Sequence, residues 1–147
     1  MSENLIYSIN GPVITVKDSS DFEMLEMVYV GHKKLMGEVI SITNKFTTIQ
    51  VYESTTSLKP GEPVFPTGMP ISVTLGPGII KNIFDGIERP LKDISQLSGA
   101  FIEPGSNVES LDNHKECDVT MKIQEGEALS PGHIYATVPE TNLIEHR

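Results

Sequence analysis

The sequence predicts a mainly β protein: a small six-stranded barrel, a short helical connector, and the start of a second β-rich, barrel-sandwich-like region. Three observations carry that expectation. Twelve glycines and ten prolines, with no tryptophan, supply many turns. The β-branched residues fall in short runs between those turns, as in small antiparallel β structure. No helical period appears before residue 76, and six or so short strands in that span favour a small closed barrel over an open sheet with exposed edges.

Leu5–Asn10 reads as the first strand, stopped by Gly11-Pro12, and Val13–Lys17 as the second, before the polar loop Asp18-Ser19-Ser20-Asp21. Glu26–Val30 is the third, punctuated by Gly31. Leu35–Thr43 and Phe46–Glu53 form a hairpin around Asn44-Lys45, where asparagine tolerates the positive φ of a tight two-residue turn. On the second arm Ile49 and Val51 should face one way, Gln50 and Tyr52 the other. Lys59-Pro60-Gly61-Glu62-Pro63 is a strong turn, followed by brief strands at Val64-Phe65 and Ile71–Leu75. After Gly76-Pro77-Gly78 the texture changes. Ile79, Ile80, Ile83, Phe84 and Ile87 recur at roughly helical spacing up to the stop at Pro90, and Leu91–Leu97 predicts a second helical piece. From Ser98 the turn-rich β pattern resumes through Gly99, Pro104-Gly105, Gly126 and Pro131-Gly132.

With 147 residues, 38% hydrophobic and 21% charged, the chain is long enough to bury a core and is composed like a folded globular protein. Twenty acidic and eleven basic side chains give a net charge of −9. The basic runs are no longer than Lys33-Lys34, so the chain lacks the cationic cluster that neutralises phosphates. Nucleic acids and anionic membranes are accordingly excluded as expected direct partners. The single cysteine, Cys117, allows no internal disulfide. Met1-Ser2-Glu3-Asn4 lacks the features of a signal peptide, and no apolar run reaches the ~18 residues of a membrane span. A cytoplasmic location is expected.

Several adjoining stretches resemble the catalytic A subunit (alpha chain) of V/A-type rotary ATPases. They are Gly11-Pro12-Val13, Met27-Val28-Tyr29-Val30-Gly31, Gly37-Glu38-Val39-Ile40 and Thr48-Ile49-Gln50-Val51-Tyr52-Glu53, then Leu58-Lys59-Pro60-Gly61-Glu62-Pro63-Val64 and Thr67-Gly68 with Ile71-Ser72-Val73. The most specific is Leu75-Gly76-Pro77-Gly78 with Ile83-Phe84-Asp85-Gly86-Ile87-Glu88-Arg89-Pro90-Leu91. Gly99-Ala100-Phe101-Ile102, Thr137-Val138-Pro139-Glu140-Thr141 and Ile144-Glu145-His146-Arg147 complete the series, in family order and over nearly the whole chain. The resemblance implies an amino-terminal fragment: a barrel at 1–70, a connector at 71–108, and an incomplete bulge, the insertion peculiar to A subunits, at 109–147. It further implies a structural role in the barrel ring of an A/B hexamer whose parent couples ATP hydrolysis or synthesis to H⁺ or Na⁺ transport. B subunits would be its partners, with peripheral-stalk subunits through the bulge, and the isolated piece would be a monomer. The complex would lie peripheral to the membrane. At Glu116-Cys117-Asp118-Val119 the chain departs from the tryptophan-containing stretch expected of the family.

The residues offer no catalytic, cofactor or metal site. A rotary ATPase needs a glycine-rich loop ending in Gly-Lys-Ser or Gly-Lys-Thr, and no Gly-Lys pair occurs. Gly76-Pro77-Gly78 is a turn, because proline has no amide hydrogen to offer a phosphate. Mg-ATP would belong to a missing domain of the parent, and the isolated chain should be inactive. His32, His114, His133 and His146 are widely spaced, and His114 with Cys117 falls short of a tetrahedral zinc set. Glu116 and Asp118 would raise a Cys117 thiol rather than activate it. The carboxylate pairs Asp18/Asp21 and Glu23/Glu26 read as solvated faces and loops. Two other function classes remain. One is a stand-alone acidic β-barrel interaction module. The other is a biotinyl- or lipoyl-like carrier, suggested by Gly126-Glu127-Ala128-Leu129-Ser130-Pro131-Gly132 and by Met121-Lys122. Against the carrier, no lysine follows Lys122, and the expected acceptor turn holds Pro139-Glu140-Thr141-Asn142.

Overall fold

The computed structural model describes residues 4–17, 21–99, 102–106, 108–112 and 114–147. It divides into two compact units. One comprises residues up to Val73 together with Ser98–Asn107; the other comprises Thr74–Leu97 and Val108–Arg147.

The first unit is a six-stranded antiparallel sheet. Its strands are β1 (Ile6–Asn10), β2 (Val13–Lys17), β3 (Glu26–Val30), β4 (Leu35–Ile42), β5 (Phe46–Val51) and β6 (Val64–Pro70). They lie side by side in the order β1-β2-β5-β4-β3-β6. Burial alternates along them as the pleat requires. Ile14, Val16, Val28, Val30, Leu35, Val39 and Ile49 are wholly buried, and Ile6, Phe22, Val51, Leu58 and Val64 join the same core. Ile49 and Val51 do face inward while Gln50 and Tyr52 face out. The β1–β2 turn is Gly11-Pro12, with Asn10 opposite Val13 and Gly11 at φ 58°, a value glycine adopts without the steric cost of a Cβ.

The edge strands β1 and β6 meet at one corner. There Leu5 bridges Pro63, Ile6 N–H donates to Glu62 O (2.9 Å), Gly61 N–H to Ile6 O (2.8 Å), and Val64 N–H to Asn4 O (2.7 Å). Beyond that corner the two strands do not form a ladder, so the six-stranded sheet is as expected but its rim is not continuously hydrogen-bonded. The register explains it: with Leu5 opposite Pro63, the rest of β1 runs past Glu62 alongside the turn Lys59-Pro60-Gly61 rather than along β6.

Four local expectations are corrected. Asn44 has no positive φ; the β4–β5 turn is held by Thr43, whose hydroxyl donates to Phe46 O and accepts from Phe46 N–H. β6 runs on to Pro70, and Ile71–Leu75 carries no regular structure. The spacing over Ile79–Ile87 does not make a helix: a single 3₁₀ turn, Ile79–Lys81, gives way to a loop in which Phe84 bridges Pro90. Asp85 is the cause, since its carboxylate captures backbone N–H groups that a helix would have used. Glu26 is the fourth correction. Far from lying on a solvated face, it is 2% exposed, accepting N–H bonds from Glu23 (2.8 Å) and from Gly68 (2.5 Å) on β6. Asp18 falls outside the described residues.

In the second unit one helix, α1 (Leu91–Ser98), follows Pro90 where a helical piece was expected, with Ile94 buried. Three short antiparallel strands follow: β7 (Thr120–Met121), β8 (Ala136–Pro139) and β9 (Glu145–His146), with β8 in the middle. Among the described residues no helix is long and apolar enough to cross a membrane.

Candidate functional site

The most developed surface feature of the first unit is an apolar row on the outer face of its sheet. Strand pairing sets Phe65 of β6 opposite Tyr29 of β3, and Tyr29 opposite Met36 of β4. Tyr52, whose N–H donates to Met36 O (2.9 Å), extends the row past the end of β5. Tyr29 and Met36 sit between buried neighbours, Val28 with Val30 and Leu35 with Gly37, and Tyr52 and Phe65 each follow one, Val51 and Val64, so all four point outward. Phe65 and Tyr52 are 43% and 41% exposed, while Tyr29 and Met36 are half-buried. The Tyr52 hydroxyl donates to Glu38 Oε2 at 2.6 Å. That bond, then partial burial and the Glu38 charge, push the phenol above its ordinary range, so Tyr52 stays a neutral donor. The row therefore ends in a polar rim, the usual make-up of a protein-binding patch.

A second stretch of unit 1 fixes one end of this face. Gly105 N–H donates to Glu53 Oε2 (2.9 Å), and a Cβ at Gly105 would collide with Lys33 O. Backbone thus meets backbone where no side chain fits.

The residues weighed from sequence as chemical candidates are not drawn together. His114 N–H bonds Asp112 Oδ1, and the Cys117 sulfur faces Lys115 O at 4.0 Å. Among the described residues no group of three or more His, Cys, Asp or Glu could hold a metal ion. Gly76-Pro77-Gly78 forms a turn, with Ile79 N–H on Gly76 O. The Gly78 amide points at a carboxylate of the protein itself, Glu140. Lys122 continues the β7 ladder through its N–H bond to Tyr135 O (2.9 Å), rather than standing at a turn tip as a carrier lysine must.

Two polar clusters of the second unit were missed by sequence reasoning. Asp85 Oδ1 accepts from Ile87 N–H (3.1 Å) and Arg89 N–H (2.9 Å), and Oδ2 from Arg89 Nε (2.8 Å). The Asp85-Gly86 pair was the signal available for this turn. Glu140 Oε1 accepts from Gly78 N–H (2.9 Å) and Ile80 N–H (3.2 Å), while Oε2 lies 2.5 Å from His146 Nε2.

The first unit thus presents a small antiparallel sheet with an exposed aromatic row on its outer face. Comparison with known proteins makes this specific. Residues 6–68 match the beta-barrel domain of the ATP synthase alpha/beta family, and residues 108–147 match the barrel-sandwich domain of the same alpha/beta subunits. The V-type ATP synthase alpha chain 2 of Clostridium tetani is 54% identical over 142 residues, covering 97% of this chain and 24% of that protein. The V-type ATP synthase alpha chain of Halothermothrix orenii is 50% identical over 142 residues, covering 97% of this chain and 24% of that protein. Among solved structures, the assembled ATPase EscN of the enteropathogenic E. coli type III secretion system shares the fold. It has a TM-score of 0.54 and 20% identity, over 60% of this chain and 21% of that one. The chain belongs to the ATP synthase alpha/beta family and corresponds to the amino-terminal region of its V/A-type alpha chains. It spans about a quarter of the length of the curated relatives it matches.

Proposed function

We propose that this chain is a structural part of the catalytic A subunit of a V/A-type rotary ATPase, building the barrel ring of an A/B hexamer and part of the bulge. The single observation that supports it best is the outward row Phe65–Tyr29–Met36–Tyr52 on a sheet of that family. In such a ring each barrel meets two different neighbours, so the contact is heterologous and needs a B partner. A net charge of −9 makes copies of this chain repel one another, which favours an alternating ring over self-association. Mg-ATP then binds in another domain of the parent protein, and the bulge reaches peripheral-stalk subunits. The complex lies on the cytoplasmic face of a membrane, and its ion is H⁺ or Na⁺.

Sedimentation of the chain with and without an equimolar B-subunit barrel tests this. The chain alone should be a monomer. The mixture should associate weakly at tens to hundreds of micromolar, because a single barrel flank buries less than the ~1,200 Å² of a stable complex. Phe65→Asp should weaken that association at least about tenfold with an unchanged circular dichroism spectrum, since it buries a charge in the patch. Calorimetry with Mg-ATP should show no saturable binding. A tight homo-oligomer, or no association with the B barrel at high micromolar concentration, would overturn the ring-building role.

A further inference from the structure

The clearest unexplained arrangement outside the outer row is the environment of Glu140. This residue opens the turn between β8 and β9, and its side chain is 3% exposed. One carboxylate oxygen takes the N–H groups of Gly78 and Ile80, which lie 62 and 60 residues earlier in the chain. The other lies against the imidazole of His146, 23% exposed, on β9. A buried carboxylate normally resists ionisation, and here burial does act in that direction. The two backbone N–H bonds and His146 outweigh it and hold Glu140 below the usual carboxylate range.

The chain on either side explains why so much rests on one group. Residues 71–78 carry no regular structure, and Gly78 at φ 109° begins the 3₁₀ turn. That turn has no side-chain cap of its own. Its N-terminal amides are satisfied instead by Glu140, from the hairpin at the other end of the unit's sequence. The Asp85 loop, by contrast, is closed by bonds within five consecutive residues. Glu140 is therefore the described side chain whose hydrogen bonds join the 78–80 turn to the β8–β9 hairpin.

We propose that Glu140 is a charge-operated clasp, whose ionised carboxylate holds the 78–80 turn to the β8–β9 hairpin and whose neutralisation releases that turn. His146 supplies the facing positive partner when protonated. Among the described side chains, the charged neighbours of the clasp include Lys115, whose Nζ is 4.0 Å from the position of a Cβ on Gly78, and the flanking Glu145 and Arg147, which pair with each other at 3.8 Å. Arg147 and Glu145 engage each other, and the charge that bears directly on the carboxylate is that of His146. A group whose folded-state affinity for protons is lowered stabilises the fold above its unfolded pKa, and that stabilisation disappears as pH falls through the folded-state value. The clasp is closed at neutral pH and opens only on the acid side of the ordinary carboxylate range.

Amide hydrogen exchange on the 147-residue chain reads this directly, as protection factors that already normalise for the intrinsic pH dependence. Leu91, whose N–H bonds Ile83 O in the same unit, serves as the internal reference. At neutral pH Glu140→Ala should lower the protection of the Gly78 and Ile80 amides at least about tenfold, with Leu91 unchanged. Glu140→Gln keeps the acceptor oxygen and loses the charge. It should give intermediate protection at neutral pH that falls less on acidification than the wild-type values do, because the Asp85 loop titrates alike in both proteins. Equal protection of Gly78 and Ile80 in wild type and Glu140→Ala would overturn the clasp. So would a Glu140→Gln variant that retains wild-type protection and its acid dependence, because charge would then play no part.

Discussion

Ile49→Ala should lower the melting temperature of the barrel unit by at least about 10 °C. Ile49 is wholly buried on β5, paired with Ile14 of β2 and Val39 of β4 on its two sides. Both partners are themselves inaccessible, and Ile49 Cγ2 packs so closely that a Cβ on Gly37 would meet it at 3.0 Å. Truncation removes three carbons from the middle of the sheet, where neighbours fixed by ladder bonds on both flanks cannot collapse into the void. Such changes cost about 2–5 kcal/mol. A unit of this size loses ~4–8 °C per kcal/mol, which sets the expected shift. Gln50→Ala, one residue along and facing outward, should change little. Scanning calorimetry of both variants provides the check; near-equal shifts would mean that β5 is not the centre of the core.

Asp85→Ala should destabilise the second unit by about 2–3 kcal/mol. The carboxylate closes the 85–89 loop with three bonds, and the side chains of Asp85 and Arg89 are 17% and 12% exposed. Removing it strips the acceptor from two backbone N–H groups and from a mostly covered guanidinium, a loss larger than that of a surface ion pair. Asp85→Asn, which still accepts hydrogen bonds, should lose roughly half as much. Burial pushes Asp85 upward, but the N–H and guanidinium bonds of Arg89 and the N–H of Ile87 prevail and hold it below the usual range. The unfolded chain therefore binds this proton more readily than the folded one. The contribution is fully present above about pH 4, the ordinary aspartate range, and is lost as pH falls through the folded-state value. Thermal unfolding of the three proteins between neutral and acid pH should show the wild type converging on Asp85→Ala. A constant gap at every pH would show that the charge is not what matters.

Where one face of a strand is buried and the next residue is wet, the pattern of residues states the strand almost completely. Val13–Lys17 and Glu26–Val30 form within the bounds their alternation predicts. The same alternation carried an unused signal: Glu26 shares parity with Val28 and Val30, so its side chain had to point inward, where it serves as an acceptor for Gly68. Proline and glycine were less easily read as β6, because three of its seven residues are turn-formers, and the strand shows itself through its pairing with β3. The spacing of Ile79, Ile83 and Ile87 imitated a helix because apolar periodicity does not register a carboxylate competing for backbone N–H groups. Glu140 with Gly78 was not legible at all, since nothing local in either segment refers to a partner 62 residues away. The outer row could be anticipated only in part: alternation places Tyr52 and Phe65 outside, but pairing order decides that Tyr29 and Met36 stand between them.

The corner at which Ile6 bonds to Glu62 sets a timetable for biosynthesis. β1 and β2 leave the ribosome first, yet β1 has only β2 beside it until the segment 61–64 arrives. At ~5–20 residues per second, the delay over those ~55 residues is roughly 3–11 s. Hairpins close in microseconds, so β1–β2 forms once Lys17 is out and waits about 30 residues for β5, while β1 waits on for its second neighbour, with Ile6, Ile14 and Val16 seeking cover. The last strand of this sheet to emerge is the proline-bearing β6, which is a poor template for pairing with a second nascent chain. A ribosome stalled before residue 61 would therefore hold an open, sticky sheet, while one stalled after residue 70 and its exit tunnel length would hold a finished one.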